Sequence, residues 1–552
     1  MLSKTPLLEI DNLVVDFETP GGMFNAVRGI SLCLEQGGSH AIIGESGSGK
    51  SVTASAIMSL IDTPPGHVRG GDIRFQGHSI LSMPRAERRR LYGRHIAMVF
   101  QDPAAHLNPV YPVGWQIAEV CRIHGRPASE AKRSAIALMD RVGIGDAARR
   151  YHAFPHQFSG GQRQRIMIAM AMALRPELLI ADEPTTALDV TVQAQILELI
   201  RELQQENGSA LLLITHDLGV AADIARTVSV MRRGEFVEEG TVADVFGAPR
   251  HSYTRKLLEG RTSSRPQVTT ADAELLLDVK DVSIDYGAVR AVSDVSLQLR
   301  HNEVLCVVGE SGSGKSTIAN AILRLREITS GSICYRGADI HKLGRAELGA
   351  YHRAVQAVFQ DPFGSLNPRM SVFDIICEPW SIQRSVLPKG EWRQRSVELM
   401  ESVGLTAGDL GKYPSEFSGG QRQRIAIARA LALQSEIIVC DEAVSALDMT
   451  VQGQIISLLQ EVRARMGVAL LFITHDLTLV RNFADRVIVM KAGAIVEQGS
   501  TEDVFSNPKH GYTRTLLAAC PVPDPVVQRE RRDAAKRASG GHPAARASAR
   551  GA

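Results

Sequence analysis

Several stretches of this chain alternate apolar and polar positions with a period of two. Leu8-Glu-Ile-Asp-Asn-Leu-Val-Val-Asp-Phe17 is one, and it reads as a strand with one buried face. Other runs are apolar without interruption: Leu178–Ala181, Ile437–Cys440 and Val-Leu-Cys-Val-Val at 304–308. Short unbroken runs of this kind predict strands buried on both faces. Helical patterns cover 52–60, 162–174, 317–325 and 421–433, and mainly helical middle stretches span 103–158 and 362–417. Strand, helix and strand then alternate to the end of each half. The pattern predicts an α/β fold, a sheet core flanked by helices, with a helical subdomain inserted in each half.

The pattern occurs twice. Lys50 and Lys315 are 315 − 50 = 265 residues apart. Gln101 and Gln360 are 360 − 101 = 259 apart, and the same 259 separates Ser159 from Ser418, Asp182 from Asp441 and His216 from His475. The second half lost six residues between the first two landmarks (265 − 259) and then kept register. A period this long is a tandem domain duplication, not a solenoid. The expected domains are 1–259 and 275–519, joined by a polar linker at 260–274. A tail at 520–552 reads as disordered: from Arg529 it holds seven basic and two acidic residues, 7 − 2 = +5.

Composition narrows the function classes. With 552 residues, 62 basic and 60 acidic, the net charge of 62 − 60 = +2 carries no global field for nucleic acid. No run approaches the roughly 18 apolar residues of a membrane-spanning helix. The N-terminal residues lack a secretory signal pattern. Seven cysteines are scattered with no C-x-x-C pair, which points to reduced thiols rather than a disulfide framework or zinc site. Cys306 and Cys440 lie inside apolar runs and read as core filler.

Candidate chemistry begins after the first buried strand of each half. Gly44, Glu45, Ser46, Gly47, Ser48, Gly49, Lys50 and Ser51 match G-x-x-x-x-G-K-[ST], and Val52 continues into the helix. Gly309, Glu310, Ser311, Gly312, Ser313, Gly314, Lys315 and Ser316 repeat the match, followed by Thr317. Glycines let backbone N–H groups turn toward phosphate oxygens, and the following helix aims its positive end at the same charge. Lys50 and Lys315 are placed for the β- and γ-phosphates, and the Ser51 and Ser316 hydroxyls for Mg²⁺. Two more strands end on paired acids, Asp182-Glu183 and Asp441-Glu442. Asp182 and Asp441 suit Mg²⁺, and Glu183 and Glu442 suit polarising an attacking water.

Ser159-Gly160-Gly161-Gln162 and Ser418-Gly419-Gly420-Gln421 start helices. With these the chain resembles the ATP-binding cassette (ABC) ATPases, for which Ser-Gly-Gly-Gln is the signature. The resemblance covers residues 7–519, with every landmark present in both halves. It implies ATP and Mg²⁺ as cofactors. It assigns Gln101 and Gln360 to the Q-loop, beside the Mg²⁺. It assigns Ala187-Leu188-Asp189 and Ala446-Leu447-Asp448 to the D-loop, His216 and His475 to the switch histidine, and Phe17 and Tyr286 to adenine stacking. It further implies two composite ATP sites, in which Lys50 faces Ser418 and Lys315 faces Ser159 across a head-to-tail pair. One departure is Ala443, where the first half has Pro184; it follows the catalytic acid and puts the local geometry in question.

The segments Phe100-Gln-Asp-Pro-Ala-Ala-His-Leu-Asn-Pro109 and Phe359-Gln-Asp-Pro-Phe-Gly-Ser-Leu-Asn-Pro368 are more selective. So are the endings His251-Ser-Tyr-Thr-Arg-Lys-Leu-Leu258 and His510-Gly-Tyr-Thr-Arg-Thr-Leu-Leu517. They resemble bacterial oligopeptide/dipeptide (and nickel) importers, here with two ATPase chains fused. That likeness implies two membrane permease subunits, an extracytoplasmic binding protein and a place on the cytoplasmic face of the inner membrane. Peptide is the expected cargo, with glutathione, nickel chelates, opines and sugars as alternatives. Only Cys520 follows the second ending, so no iron–sulfur cluster is expected. A soluble twin-cassette translation factor would carry a long charged helical linker, and an exporter would carry spanning segments; neither pattern is present.

Overall fold

The structure is a computed structural model that describes residues 5–19, 21–186, 188–259, 273–287, 289–445, 447 and 449–539. Ala187, Ala446 and Asp448 of the expected D-loops lie outside the described residues, as does most of the linker. Two compact units emerge: residues up to Leu258 together with the segment from Pro521, and Glu259–Cys520.

The first unit is built on a six-stranded sheet. Its order is Glu235–Thr241, Thr227–Arg232, Ser39–Ile43, Ala210–Thr215, Leu178–Asp182, Ile96–Val99. The outer pair is antiparallel and the other four pairings are parallel, so the sheet is mixed. The unbroken apolar runs now have a reason. Ala41 and Ile43, Leu179 and Ala181, Leu211 and Leu213 point into one core. Ile42, Leu178, Ile180, Leu212 and Ile214 point into the other. Both faces are covered, and period-two alternation is lost because neither face meets water.

The alternating strand Leu8–Thr19 belongs elsewhere. It pairs with Gly22–Leu34 and Gly66–Phe75 in a separate antiparallel sheet. Leu8, Ile10, Leu13 and Val15 face its core, while the residues between them are at least partly open to solvent.

Helices inserted after Ile96–Val99 form the helical subdomain. Val113–Ile123 buries Val113, Ile117 and Cys121, four residues apart, against the Ala131, Ala135 and Met139 stripe of Ala128–Arg141. The second unit repeats this plan, with sheet order Val355–Val358, Ile437–Asp441, Ala469–Thr474, Val304–Val308, Arg486–Lys491, Ala494–Ser500.

Part of the tail expected to be disordered is a helix, while residues 540–552 lie outside the described residues. Residues Pro525–Ser539 form a helix, begun by Asp524, whose Oδ1 accepts from Val526 N and Val527 N. Its sequence is rich in strong helix formers. The chain at Pro521 passes so close to Gly219 that a Cβ there would meet the Pro521 backbone at 2.7 Å. Arg532 then pairs with Asp223 at 3.2 Å.

Candidate functional site

The C-terminal ends of three adjacent parallel strands carry the site, at the edge where open α/β sheets bind ligands. Ser39–Ile43 runs into the glycine-rich loop, Leu178–Asp182 delivers the acid pair, and Ala210–Thr215 delivers His216.

The loop closes on itself through Lys50. Its Nζ donates to the carbonyls of Gly44 and Glu45, each at 2.8 Å. Gly44 is packed so tightly that a Cβ would lie 2.2 Å from the Met231 carbonyl oxygen. Gly49 holds φ at 109°, where a side chain is strained. Lys50 then opens the helix Lys50–Ile57, whose N-cap Gly49 brings no capping side chain, so the positive end of the helix follows directly on the loop. Ser46 and Gly47 are exposed at the mouth.

Ser51 Oγ donates to Asp182 Oδ1 at 3.0 Å. Asp182 is only 6% exposed, so it is not a solvent-facing strand end. Burial pushes its carboxyl up to about 6, against the Ser51 hydrogen bond and the Lys50 charge. The second unit repeats the contact: Ser316 Oγ donates to Asp441 Oδ1 at 3.0 Å, and burial again raises the carboxyl.

Glu183 is the most constrained side chain of the cluster. Its backbone is left-handed, with φ 44°, a strain that surroundings must hold in place. Oε2 accepts from Gln101 Nε2 at 2.8 Å and from Thr186 Oγ1 at 2.9 Å. Oε1 lies 3.0 Å from His216 Nδ1. Burial opposes ionisation of both partners, yet their mutual hydrogen bond and charge outweigh it. Glu183 is held below the usual carboxylate range and His216 above the usual imidazole range.

In the second unit Glu442 has φ 48°, so Ala443 in place of Pro184 leaves the left-handed turn unchanged. His475 Nδ1 stands 3.6 Å from Glu442 Oε1. Among the described residues Gln360 makes no hydrogen bond to Glu442, and Ser445 Oγ donates to the Glu442 carbonyl instead of its carboxylate.

The signature segments are capped helix starts. Ser159 Oγ accepts from Gln162 N at 3.3 Å while Gln162 Oε1 accepts from Ser159 N, a reciprocal capping box. Ser418 and Gln421 do the same. A Cβ on Gly161 would meet Val192 Cγ1 at 2.5 Å, and one on Gly420 would meet Val451 Cγ1 at 2.3 Å, so only glycine admits the neighbouring helix.

The cluster therefore unites Lys50, Ser51, Gln101, Asp182, Glu183 and His216, and leaves the signature and the aromatics apart. Phe17 is half-buried against Gly66. Tyr286 is exposed, with Arg326 over its ring at 3.9 Å.

Comparison with known proteins identifies the family. The ABC transporter family matches residues 27–186 and 292–445. The chain belongs to the ABC transporter family. The oligopeptide/dipeptide transporter C-terminal region matches 237–275 and 496–545, each overlapping one of the two endings. The chain is similar to the glutathione import ATP-binding protein GsiA of Salmonella paratyphi A, 45% identical over 96% of this chain and 92% of the relative. It is also similar to the ABC transporter ATP-binding protein YejF of Escherichia coli, 46% identical over 93% of this chain and 99% of the relative. A solved single cassette, cbiO1 of Clostridium perfringens, is 27% identical over 42% of this chain, with a TM-score of 0.39. This ABC protein is an ATP-binding, ATP-hydrolysing importer subunit of the oligopeptide/dipeptide class.

ATP and a cation suit the site. Among the described residues the buried Ser48 Oγ has no hydrogen-bond partner, a group that a phosphate oxygen would satisfy. Among the described residues no cluster of three or more His, Cys, Asp or Glu could hold a metal alone. A hydroxyl and one carboxylate, Ser51 with Asp182, suit a hard cation that shares its remaining positions with phosphate and water.

Three features escaped the sequence reading: the left-handed turn at Glu183 and Glu442, the Thr186 hydroxyl, and Tyr253 with Tyr512. The tyrosines had a signal, since both stand in the matching endings 512 − 253 = 259 residues apart.

Proposed function

We propose that the chain powers a bacterial importer for short peptides, glutathione among them, from the cytoplasmic face of the inner membrane. The observation that carries this reading is Glu183, fixed by Gln101, Thr186 and His216 beside the Ser51–Asp182 pair. Its carboxylate is ionised and oriented, ready to accept a proton from an attacking water. His216 holds that carboxylate in place and offers a positive charge toward the transferring phosphoryl group. Mg²⁺, held by Ser51, Gln101 and Asp182 in one half and Ser316, Gln360 and Asp441 in the other, would neutralise phosphate charge.

From the resemblance to ABC ATPases we infer that each loop would be completed by the signature of the other cassette. Ser159 and Gly160 are exposed and Ser418 is exposed, so these helix starts are available to a nucleotide held elsewhere. Their N–H groups would meet charge that spreads over the γ-phosphate. Closure of the pair excludes water, and hydrolysis releases it.

Among the described residues no helix is long and apolar enough to cross a membrane. In this reading separate permeases carry the cargo. Val110 and Tyr111, just after Gln101, are 70% and 44% exposed. Such surface apolar side chains suit docking of permease helices. Selection of the cargo rests with the permeases and a binding protein.

The test is a Glu183→Gln/Glu442→Gln double variant. It should bind ATP and lose turnover by about 10²–10⁴-fold, the usual yield of a general base. Hydrolysis at the wild-type rate would overturn the assignment.

A further inference from the structure

The endings of the two cassettes reach back to their phosphate loops, and do so identically. Glu45 N donates to the Tyr253 hydroxyl at 3.2 Å, and Glu310 N donates to the Tyr512 hydroxyl at 3.2 Å. Both tyrosines are nearly buried, at 6% and 7% exposure. Each is fixed by the same framework. Glu238 accepts from Arg250 N at 2.7 Å and His251 N at 3.1 Å. His251 Nδ1 accepts from Tyr253 N at 3.1 Å. In the second cassette Glu497 accepts from Lys509 N at 2.7 Å and His510 N at 3.0 Å, and His510 Nδ1 accepts from Tyr512 N at 3.1 Å. A cation covers each ring, Arg232 at 4.8 Å and Lys491 at 4.6 Å.

The point of contact is the second residue of the loop. Its N–H is held by the tyrosine and its carbonyl by the loop lysine, Lys50 Nζ to Glu45 O at 2.8 Å and Lys315 Nζ to Glu310 O at 2.7 Å. Two side chains therefore grip opposite ends of one residue. When the lysine leaves its carbonyls to reach phosphate, the tyrosine still holds the N–H, beside the turn hydrogen bonds from Ser48 N to Glu45 O at 3.2 Å and from Ser313 N to Glu310 O at 3.1 Å. A loop that keeps its shape while the lysine turns loses less conformational entropy on binding.

We propose that Tyr253 and Tyr512 are positioning residues that pre-organise the two phosphate loops for nucleotide, and that bracing the loop is a task of the oligopeptide/dipeptide C-terminal region. Glu238 and Glu497, with His251 and His510, hold the brace. The inference rests on the ATP-site reading above and adds a determinant of nucleotide affinity outside the known motifs. A hydroxyl-to-backbone hydrogen bond of this kind corresponds to about three- to tenfold in binding.

The experiment compares wild type with Tyr253→Phe/Tyr512→Phe in the full chain. It measures the dissociation constant of a non-hydrolysable ATP analogue, KM and kcat for ATP, the thermal midpoint without nucleotide, and hydrogen exchange at the Glu45 and Glu310 amides. The expected result is a three- to tenfold weaker dissociation constant and a similarly raised KM. With it should come kcat within twofold, a thermal midpoint within a few degrees, and faster exchange at the two amides. Wild-type affinity with wild-type exchange in the double variant would overturn the proposal. So would an affinity loss matched by general loss of structure, with exchange faster throughout the chain. Failure of wild type to bind the analogue would instead overturn the ATP-site reading.

Discussion

His216 Nδ1 lies 3.0 Å from Glu183 Oε1, whereas His475 Nδ1 lies 3.6 Å from Glu442 Oε1. The first carboxylate also accepts from Gln101 and Thr186, and among the described residues the second has no counterpart of either hydrogen bond. The two sites share motifs but differ in how firmly the glutamate is held. Gln101→Ala should therefore slow hydrolysis more than Gln360→Ala, by roughly the 0.5–1.5 kcal/mol of one lost hydrogen bond. Steady-state ATPase rates of the two single variants check this. Equal losses would contradict it.

The same pair sets a pH window. His216 is raised above 6.5, so its contribution to stability is full below that value and is lost as pH rises through the folded pKa. Glu183 is lowered below 4.5, so its contribution is full above that value and is lost as pH falls through its folded pKa. The ion pair is intact between the two. Glu183→Gln should drop the His216 pKa, because burial then acts without its counter-charge. An NMR titration of the imidazole reads the change directly, and an unchanged pKa would break the assignment of cause.

Asp182 behaves in the opposite sense to Glu183. Burial lifts it from 3.8 to about 6, so the nucleotide-free fold loses stability as pH rises across that interval. A cation must displace this proton. Mg–ATP affinity should be flat above pH 7 and fall by up to about tenfold per unit below 6. Calorimetric titration at pH 5.5 and 7.5, with Mg-free ATP and with Asp182→Asn/Asp441→Asn as controls, isolates the term. The double Asn variant should lose the excess pH dependence.

The signature glycines test packing apart from chemistry. Gly161→Ala places a Cβ 2.5 Å from Val192 Cγ1 and should cost about 1–3 kcal/mol of stability through overpacking. Val192→Ala in the same chain should recover most of it. A thermal midpoint that stays low in the double variant would locate the clash elsewhere.

Much of this was legible in the chain because the physics is local. The unbroken run Leu178–Ala181 could only be a strand covered on both faces, and a buried strand ending on Asp182-Glu183 demanded a polar partner. The loop glycines announced tight backbone approach before Met231 was known to be the neighbour of Gly44. What escaped depends on residues distant in sequence. Tyr253 meets Glu45 across 208 residues, and no periodicity encodes that meeting. The left-handed φ of Glu183 is imposed by its surroundings, since glutamate has no intrinsic preference for it. The helix Pro525–Ser539 was not legible because its contacts are with Asp223 and Gly219, far up the chain.

The central claim is that each ATP site is shared, Lys50 with Ser418 and Lys315 with Ser159. In the Glu183→Gln/Glu442→Gln background, which retains ATP, the decisive measurement is the amount of ATP held per chain after rapid gel filtration. Lys50→Ala/Ser418→Arg damages the two faces of a single site and should leave half of the ATP in place. Lys50→Ala/Ser159→Arg damages both sites and should leave none. The reverse pattern, with Lys50→Ala/Ser159→Arg retaining half and Lys50→Ala/Ser418→Arg retaining none, would mean that each cassette serves itself and would contradict the account.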